Sequence, residues 1–162
     1  MKVTKFIFLA MLLLVPLSVF AVDFSKVPLP NDLNIVPPDP SLPENIKALS
    51  GKRGGVWMVE GGKDGTRSTG EHTVLVVEKI LDEKTALIVY GTTGASTTNF
   101  FRIKAQIVLS GNEVRLEWVS KVTSKETSFS LKGDKLEREI TVSAPRVPGG
   151  KMTYSITMSR IQ

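Results

Sequence analysis

From residue 99 onward, hydrophobic and polar side chains alternate. Phe101, Ile103, Ala105, Ile107 and Leu109 share one parity, opposite Arg102, Lys104 and Gln106. Val114, Leu116 and Trp118 oppose Glu113, Arg115 and Glu117, and Met152, Tyr154, Ile156 and Met158 oppose Thr153, Ser155, Thr157 and Ser159. A period of two with one apolar face is the pattern of a half-buried antiparallel strand. Carried along the chain, it predicts eight strands, near 55–60, 72–80, 85–91, 99–109, 113–119, 126–132, 135–142 and 152–161. Turn chemistry separates them: a glycine-rich run at 61–65, Leu81-Asp82-Glu83-Lys84, Ser110-Gly111-Asn112, Gly133-Asp134 and Pro148-Gly149-Gly150. Such short connections leave no room for crossover helices, so sequence neighbours pair antiparallel. Eight strands are enough to close a barrel and remove both sheet edges. The expected fold class is all-β, a single eight-stranded antiparallel up-and-down barrel.

The segments before the strands read differently. Ser41-Leu42-Pro43-Glu44 matches a helix start, with serine as N-cap, proline in the first turn and glutamate three residues on. Ser50-Gly51 stops it, so a helix of about two turns is expected over 43–49. Six of the nine prolines fall between Val27 and Pro43. With φ fixed and amide donors missing, this stretch should form an extended arm. It is either a spacer or a strap lying on the domain; it shows no apolar periodicity, and deleting residues 22–40 is expected to leave the barrel folded.

Residues 1–21 carry two lysines, an apolar run from Phe6 to Val15, and Val19-Phe20-Ala21 before a cut after Ala21. That order matches a secretory leader, and the run is shorter than the roughly 20 residues of a spanning helix. The expected organisation is a leader over 1–21, a Pro-rich arm over 22–42 and a barrel domain over 43–162. The protein is expected to be exported, either periplasmic or secreted. Several predicted strands are near six or seven residues, against about 9–11 for a membrane-spanning strand. The barrel is therefore expected not to be membrane-embedded.

The net charge is +5, and Lys2 and Lys5 of the leader contribute to it. What remains is small and mixed with acidic residues, which argues against a nucleic-acid partner. There is no cysteine, hence no disulfide or thiolate metal site. His72, the single histidine, has no Gly-x-Ser-x-Gly elbow or second ligand to work with. The run GGKDGTRSTG (61–70) lacks the Gly-Lys-Ser/Thr ending of a phosphate loop and reads as a mouth loop. No enzyme constellation and no cofactor are expected.

Gly55-Val56-Trp57 lies on the first predicted strand, a short helix precedes it, and Arg160 stands near the end of the last strand. In this combination the chain resembles the calycins, the lipocalin-like and fatty-acid-binding-protein-like barrels. The resemblance implies that Gly55, Trp57 and Arg160 close one end of the barrel, with Arg160 lying over the indole. It also looks like a bacterial exported lipocalin-like domain, through Gly55–Trp57 (GVW), Thr73–Glu78 (TVLVVE) and Ala86–Gly91 (ALIVYG). The second lipocalin signature, Thr-Asp-Tyr on a middle loop, is absent.

Arg138 shares parity with Leu136, Ile140 and Val142, so barrel geometry aims it inward. A buried guanidinium needs a carboxylate, water or an anionic ligand. Tyr154, inward on the next strand, offers a hydroxyl, and Phe101 and Trp118 offer apolar wall. Two functions follow. One is a carrier holding an apolar or anionic amphipathic ligand. The other is a protein-binding or inhibitory module with a filled barrel, meeting its partner through the arm or mouth loops. A cavity of about 300 Å³ or more would favour the carrier.

Overall fold

The structure, a computed structural model, describes residues 22–61, 66–94, 98–119, 126–146 and 149–162. The leader reading falls on residues 1–21, outside the described residues. Helix α1 (Glu44–Lys47) precedes eight strands: β1 (Gly51–Gly61), β2 (Thr66–Asp82), β3 (Thr85–Thr93), β4 (Thr98–Ser110), β5 (Glu113–Val119), β6 (Glu126–Lys132), β7 (Lys135–Ser143) and β8 (Lys151–Arg160). Each pairs antiparallel with the next, and β1 pairs with β8, so the sheet is a closed up-and-down barrel. The fold class expected from the alternation is the fold observed.

Closure depends on how near β1 comes to β8. A side chain at Gly55 would put its Cβ 2.7 Å from the Thr157 carbonyl oxygen and 2.9 Å from Ile156 Cγ1. Only glycine allows that approach. Three connections at one end, Asp82–Thr85, Ser110–Glu113 and Lys132–Lys135, are tight turns, and α1 enters β1 at this same end. The strand ends Gly61, Thr66, Thr93, Thr98, Val119, Glu126, Ser143 and Lys151 lie at the other. Inside, Leu75, Val77, Ile88, Leu116, Phe129, Leu136, Ile156 and Met158 form the core.

Two strands start well before their predicted limits. β1 begins four residues earlier, at Gly51, and β2 begins at Thr66 rather than His72, so residues 66–70 are strand and not loop. β2 and β4 run to 17 and 13 residues. β5 and β6 keep their predicted seven residues each. The packed apolar cluster lies inside, while Arg102, Lys104 and Gln106 are exposed outside. Among the described residues, no helix is long and apolar enough to cross a membrane.

The helix is one turn, not two. Ser41 does not cap it, because Asp39 Oδ1 already accepts from the Ser41 amide (2.8 Å) and hydroxyl (2.7 Å). Pro43 stands at the cap position with no side-chain hydrogen bond. Carbonyls at its far end are satisfied by arginines instead. Arg53, fully buried, donates from Nη1 to Leu49 O (2.7 Å), from Nη2 to Ala48 O and from Nε to Asp134 O (3.0 Å). Arg160 donates to Ser50 O and Ala48 O, both at 3.0 Å. Burial, and then the neighbouring Arg160 charge, push the Arg53 pKa down to about 10.

The arm is a strap. Val27 is buried with Val74, Val76 and Val89 on the outer face of β2 and β3, and Phe24, Leu29 and Leu33 pack around them. A Cβ on Gly91 would lie 2.5 Å from Pro28 O, so the arm passes against bare backbone. The Val36 amide donates to Glu78 O (2.7 Å). Arg102 ties arm to barrel, donating to Glu78 Oε2 (2.9 Å) and Oε1 (3.0 Å) and to both Asp32 carboxylate oxygens (3.1 Å).

Of the two readings of the arm, a free spacer or a strap on the domain, the structure shows the strap. Each anchor is buried singly, between prolines, which leaves no period to read. Deleting residues 22–36 removes four apolar anchors at roughly 1.5 kcal/mol each, and a loss of about 3–6 kcal/mol is expected in equilibrium denaturation. A loss below about 1 kcal/mol would mean that the arm merely rests on the barrel.

The Arg102 clasp makes arm docking sensitive to pH. Hydrogen bonding from Arg102 holds the Asp32 carboxyl below its ordinary value of 3.8. Its contribution is full above that value and lost as pH falls through the lower folded one. Wild type should exceed Asp32→Asn in urea midpoint at neutral pH, and the gap should vanish on acidification below 3.8. A gap that persists in acid would refute the ionic clasp.

Candidate functional site

Arg138 sits on β7 two residues after the fully buried Leu136, and that parity carries it inward. Its guanidinium carbon lies 5.9 Å from the Trp57 ring centroid and 5.7 Å from that of Phe129. A cation over an aromatic face gains about 0.5–2 kcal/mol. Two such faces partly replace the water that the half-buried group has lost. Among the described residues no carboxylate lies within ion-pair distance of it. The hydrogen bond it makes is a long one, Nη2 to Glu126 O at 3.4 Å. Burial accordingly lowers its pKa, with Tyr90 acting in the opposite direction.

Around the guanidinium the inner wall is aromatic. Trp118 and Phe129 stack at 5.6 Å with planes 7° apart, and Tyr90 is tilted against both, at 5.7 Å and 6.4 Å. Burial raises the Tyr90 pKa, partly offset by the polar groups of Trp57 and Thr73 and by the Arg138 charge. Opposite Trp57 the β1–β2 register shifts, with Val56 facing His72 and Met58 facing Thr69, so β2 carries one extra residue there. Beside it Glu71 accepts from the Thr92 hydroxyl (2.9 Å), so this carboxylate is engaged on the β3 side.

The residues singled out from sequence fall in several places. Arg138, Trp57 and Trp118 come together through Phe129 and Tyr90. Phe101 is half-buried on β4, register partner of Tyr90. Tyr154 is half-buried on β8, but its hydroxyl contacts Met152 Sδ at 3.9 Å rather than the guanidinium. Gly55 lies in the seam between β1 and β8.

Arg160 is not over Trp57. It pairs in register with Arg53, and Trp57 lies four residues further along β1, about 13 Å away at 3.3 Å per residue. The cation over the indole is Arg138 instead. The early start of β1 is the physical reason, since it moves Gly-x-Trp to mid-barrel and gives the closed end to Arg53. His72 lies against the arm. Its Nδ1 lies 3.2 Å from Asp23 O, and its ring is tilted on Phe24 of the arm.

Arg53 and Tyr90 were missed from sequence, and Phe129, inward on β6, was not singled out as a site residue. Tyr90 shares parity with Ala86 and Ile88, a signal present in the alternation of β3. Arg53 shares parity with Gly55 and Trp57, but its charge hid it.

Chemically, this arrangement can bind. A cation without a carboxylate partner, flanked by flat apolar faces, suits an acid group attached to an apolar body. The fold and site together define an eight-stranded antiparallel barrel with a cationic, aromatic-lined inner wall, a fold consistent with a calycin-like barrel. No family model, curated protein or solved structure matches the chain.

The Arg138–Trp57 contact is testable by a double-mutant cycle. Trp57→Leu and Arg138→Met should couple by about 0.5–2 kcal/mol in denaturation, while Trp57→Leu and Arg160→Met should be additive. Coupling to Arg160 instead would restore the closure implied by the family resemblance.

Proposed function

We propose that this protein is an exported, lipocalin-like binding barrel that holds a small anionic amphiphile. Its acid group sits on Arg138 and its apolar part lies against Trp57, Phe129 and the neighbouring wall that includes Phe101, Trp118 and Tyr154. The observation that carries this reading is the Arg138 guanidinium, half-buried over two rings with no carboxylate partner among the described residues. The ligand occupies only the open half of the barrel, because Leu75, Ile88, Leu116, Leu136 and Met158 leave the closed half packed. The role is binding and not catalysis, without a cofactor and without nucleic acid, in a barrel that stands in water. Export rests on the leader-like order of residues 1–21.

A filled barrel acting as a protein-binding module is the second reading, favoured by the Tyr90–Trp118–Phe129 cluster across the barrel's waist. In that reading the arm is already committed to β2 and β3, which leaves the open end for a partner.

Arg138→Met separates the two. With 1-anilinonaphthalene-8-sulfonate as probe, the substitution should weaken binding at least about tenfold, roughly 1.4 kcal/mol. Stability should hold or rise, because no paired charge is orphaned. Unchanged affinity, or no binding by wild type, would leave the filled module.

A further inference from the structure

The barrel wall is parted between β6 and β7. Their pairing runs from Lys132↔Lys135 through Leu131↔Leu136 to Ser130↔Glu137 and stops. The same register would next join Phe129 to Arg138, Ser128 to Glu139, Thr127 to Ile140 and Glu126 to Thr141, and none of these pairs is made. Both strands stay bonded on their far sides over that length, β6 to β5 as far as Val119↔Glu126 and β7 to β8 as far as Ser143↔Lys151. The parting is therefore local.

A cleft of about 310 Å³ occupies it, lined by Arg115, Ser128, Ser130, Glu139, Ile140 and Arg138 itself. Arg138 thus stands at once over the interior rings and in the wall. Its Nη2 reaches across the cleft to Glu126 O on the facing strand. That carbonyl is a distant, neutral acceptor, which a charged one would displace.

We infer that the ligand of the Arg138 site enters sideways, through the β6–β7 parting, and not through the end of the barrel. This rests on the reading of Arg138 as an anion seat. An acid group arriving in the cleft meets the guanidinium at once, taking over from Glu126 O. By way of the barrel end it would first pass Tyr154, which precedes Arg138 along the inner wall. Glu126, Glu137 and Glu139 also line the cleft, and they disfavour bodies carrying several negative charges. The class admitted is a single acid group on an apolar body.

The chain has no cysteine, so an introduced thiol is the one site for capping. Ser128→Cys places it in the parting, and Asn99→Cys places it at the open end, on β4, exposed and away from β6 and β7. Each variant is capped with a bulky maleimide, and association of 1-anilinonaphthalene-8-sulfonate is followed by stopped flow. Capping the Ser128→Cys variant should slow association at least tenfold, and capping the Asn99→Cys variant should change it less than twofold. Any other pattern overturns the lateral route. Iodide quenching of tryptophan fluorescence tests the route without an amphiphile. Its rate constant should at least halve when the Ser128→Cys variant is capped, and not when the Asn99→Cys variant is. Failure of wild type to bind the sulfonate would sink the anion seat, while the iodide measurement would still decide the route.

Discussion

A sheet of eight strands has two edges, and everything else in this molecule depends on joining them. The β1–β8 seam is that junction: it is paired at Arg53–Gly54 and at Met58–Gly61, and between them Gly55 lets the Thr157 carbonyl come within 2.7 Å of where a Cβ would stand. With the seam closed, inward side chains from all strands meet and form one core. With it open, β1 and β8 would present two long unpaired edges, the usual template for aggregation. The glycine of Gly-x-Trp thus serves the seam, and the tryptophan two residues on is carried inward by the same parity.

Arginine meets two fates inside this barrel. At the closed end Arg53 is fully buried, yet three backbone carbonyls receive its donors, two of them at the end of α1. The guanidinium there acts as a helix cap and a plug together, and Arg160 adds two more donors at the same helix end. Arg138 is less buried and worse satisfied, with two ring faces and one long hydrogen bond. A fixed donor set is satisfied in the first case and available in the second. That difference, and not burial alone, separates a structural arginine from a candidate seat.

The same contrast explains what could be read from sequence. Strands β4 to β8 lie within one residue of their predicted limits, because each has one dry face and one wet face. The predicted start of β1 is late because Lys52-Arg53 looks solvated, and no pattern of residue types announces a charge neutralised by backbone carbonyls. That of β2 is late because residues 67–71 are exposed at the rim, where neither face is dry. The inward aim of Arg138 is legible from parity. Its partner is not, since finding it requires knowing how far along the barrel Trp57 lies. The arm's anchors, Val27, Leu29 and Leu33, are apolar residues scattered among prolines, and their burial is set by an outer sheet face that sequence order does not reveal.

The lone cation and the parted wall are one feature seen twice. Four unmade register pairs forgo roughly four ladder hydrogen bonds, each about 0.5–1.5 kcal/mol. A leucine at 138, as at Leu136, would face Phe129 across a closed ladder and extend the dry core. Arginine instead needs room for a planar head and for water or an anion around its five donors. Its guanidinium stands 5.7 Å from the ring of the very residue that the ladder would pair it with. A barrel serving only as a solid support gains nothing from this, since both the unpaired backbone and the dehydrated charge cost stability. The arrangement is coherent if the forgone bonds leave a way to the guanidinium from outside, so that what enters restores the partner the charge lacks.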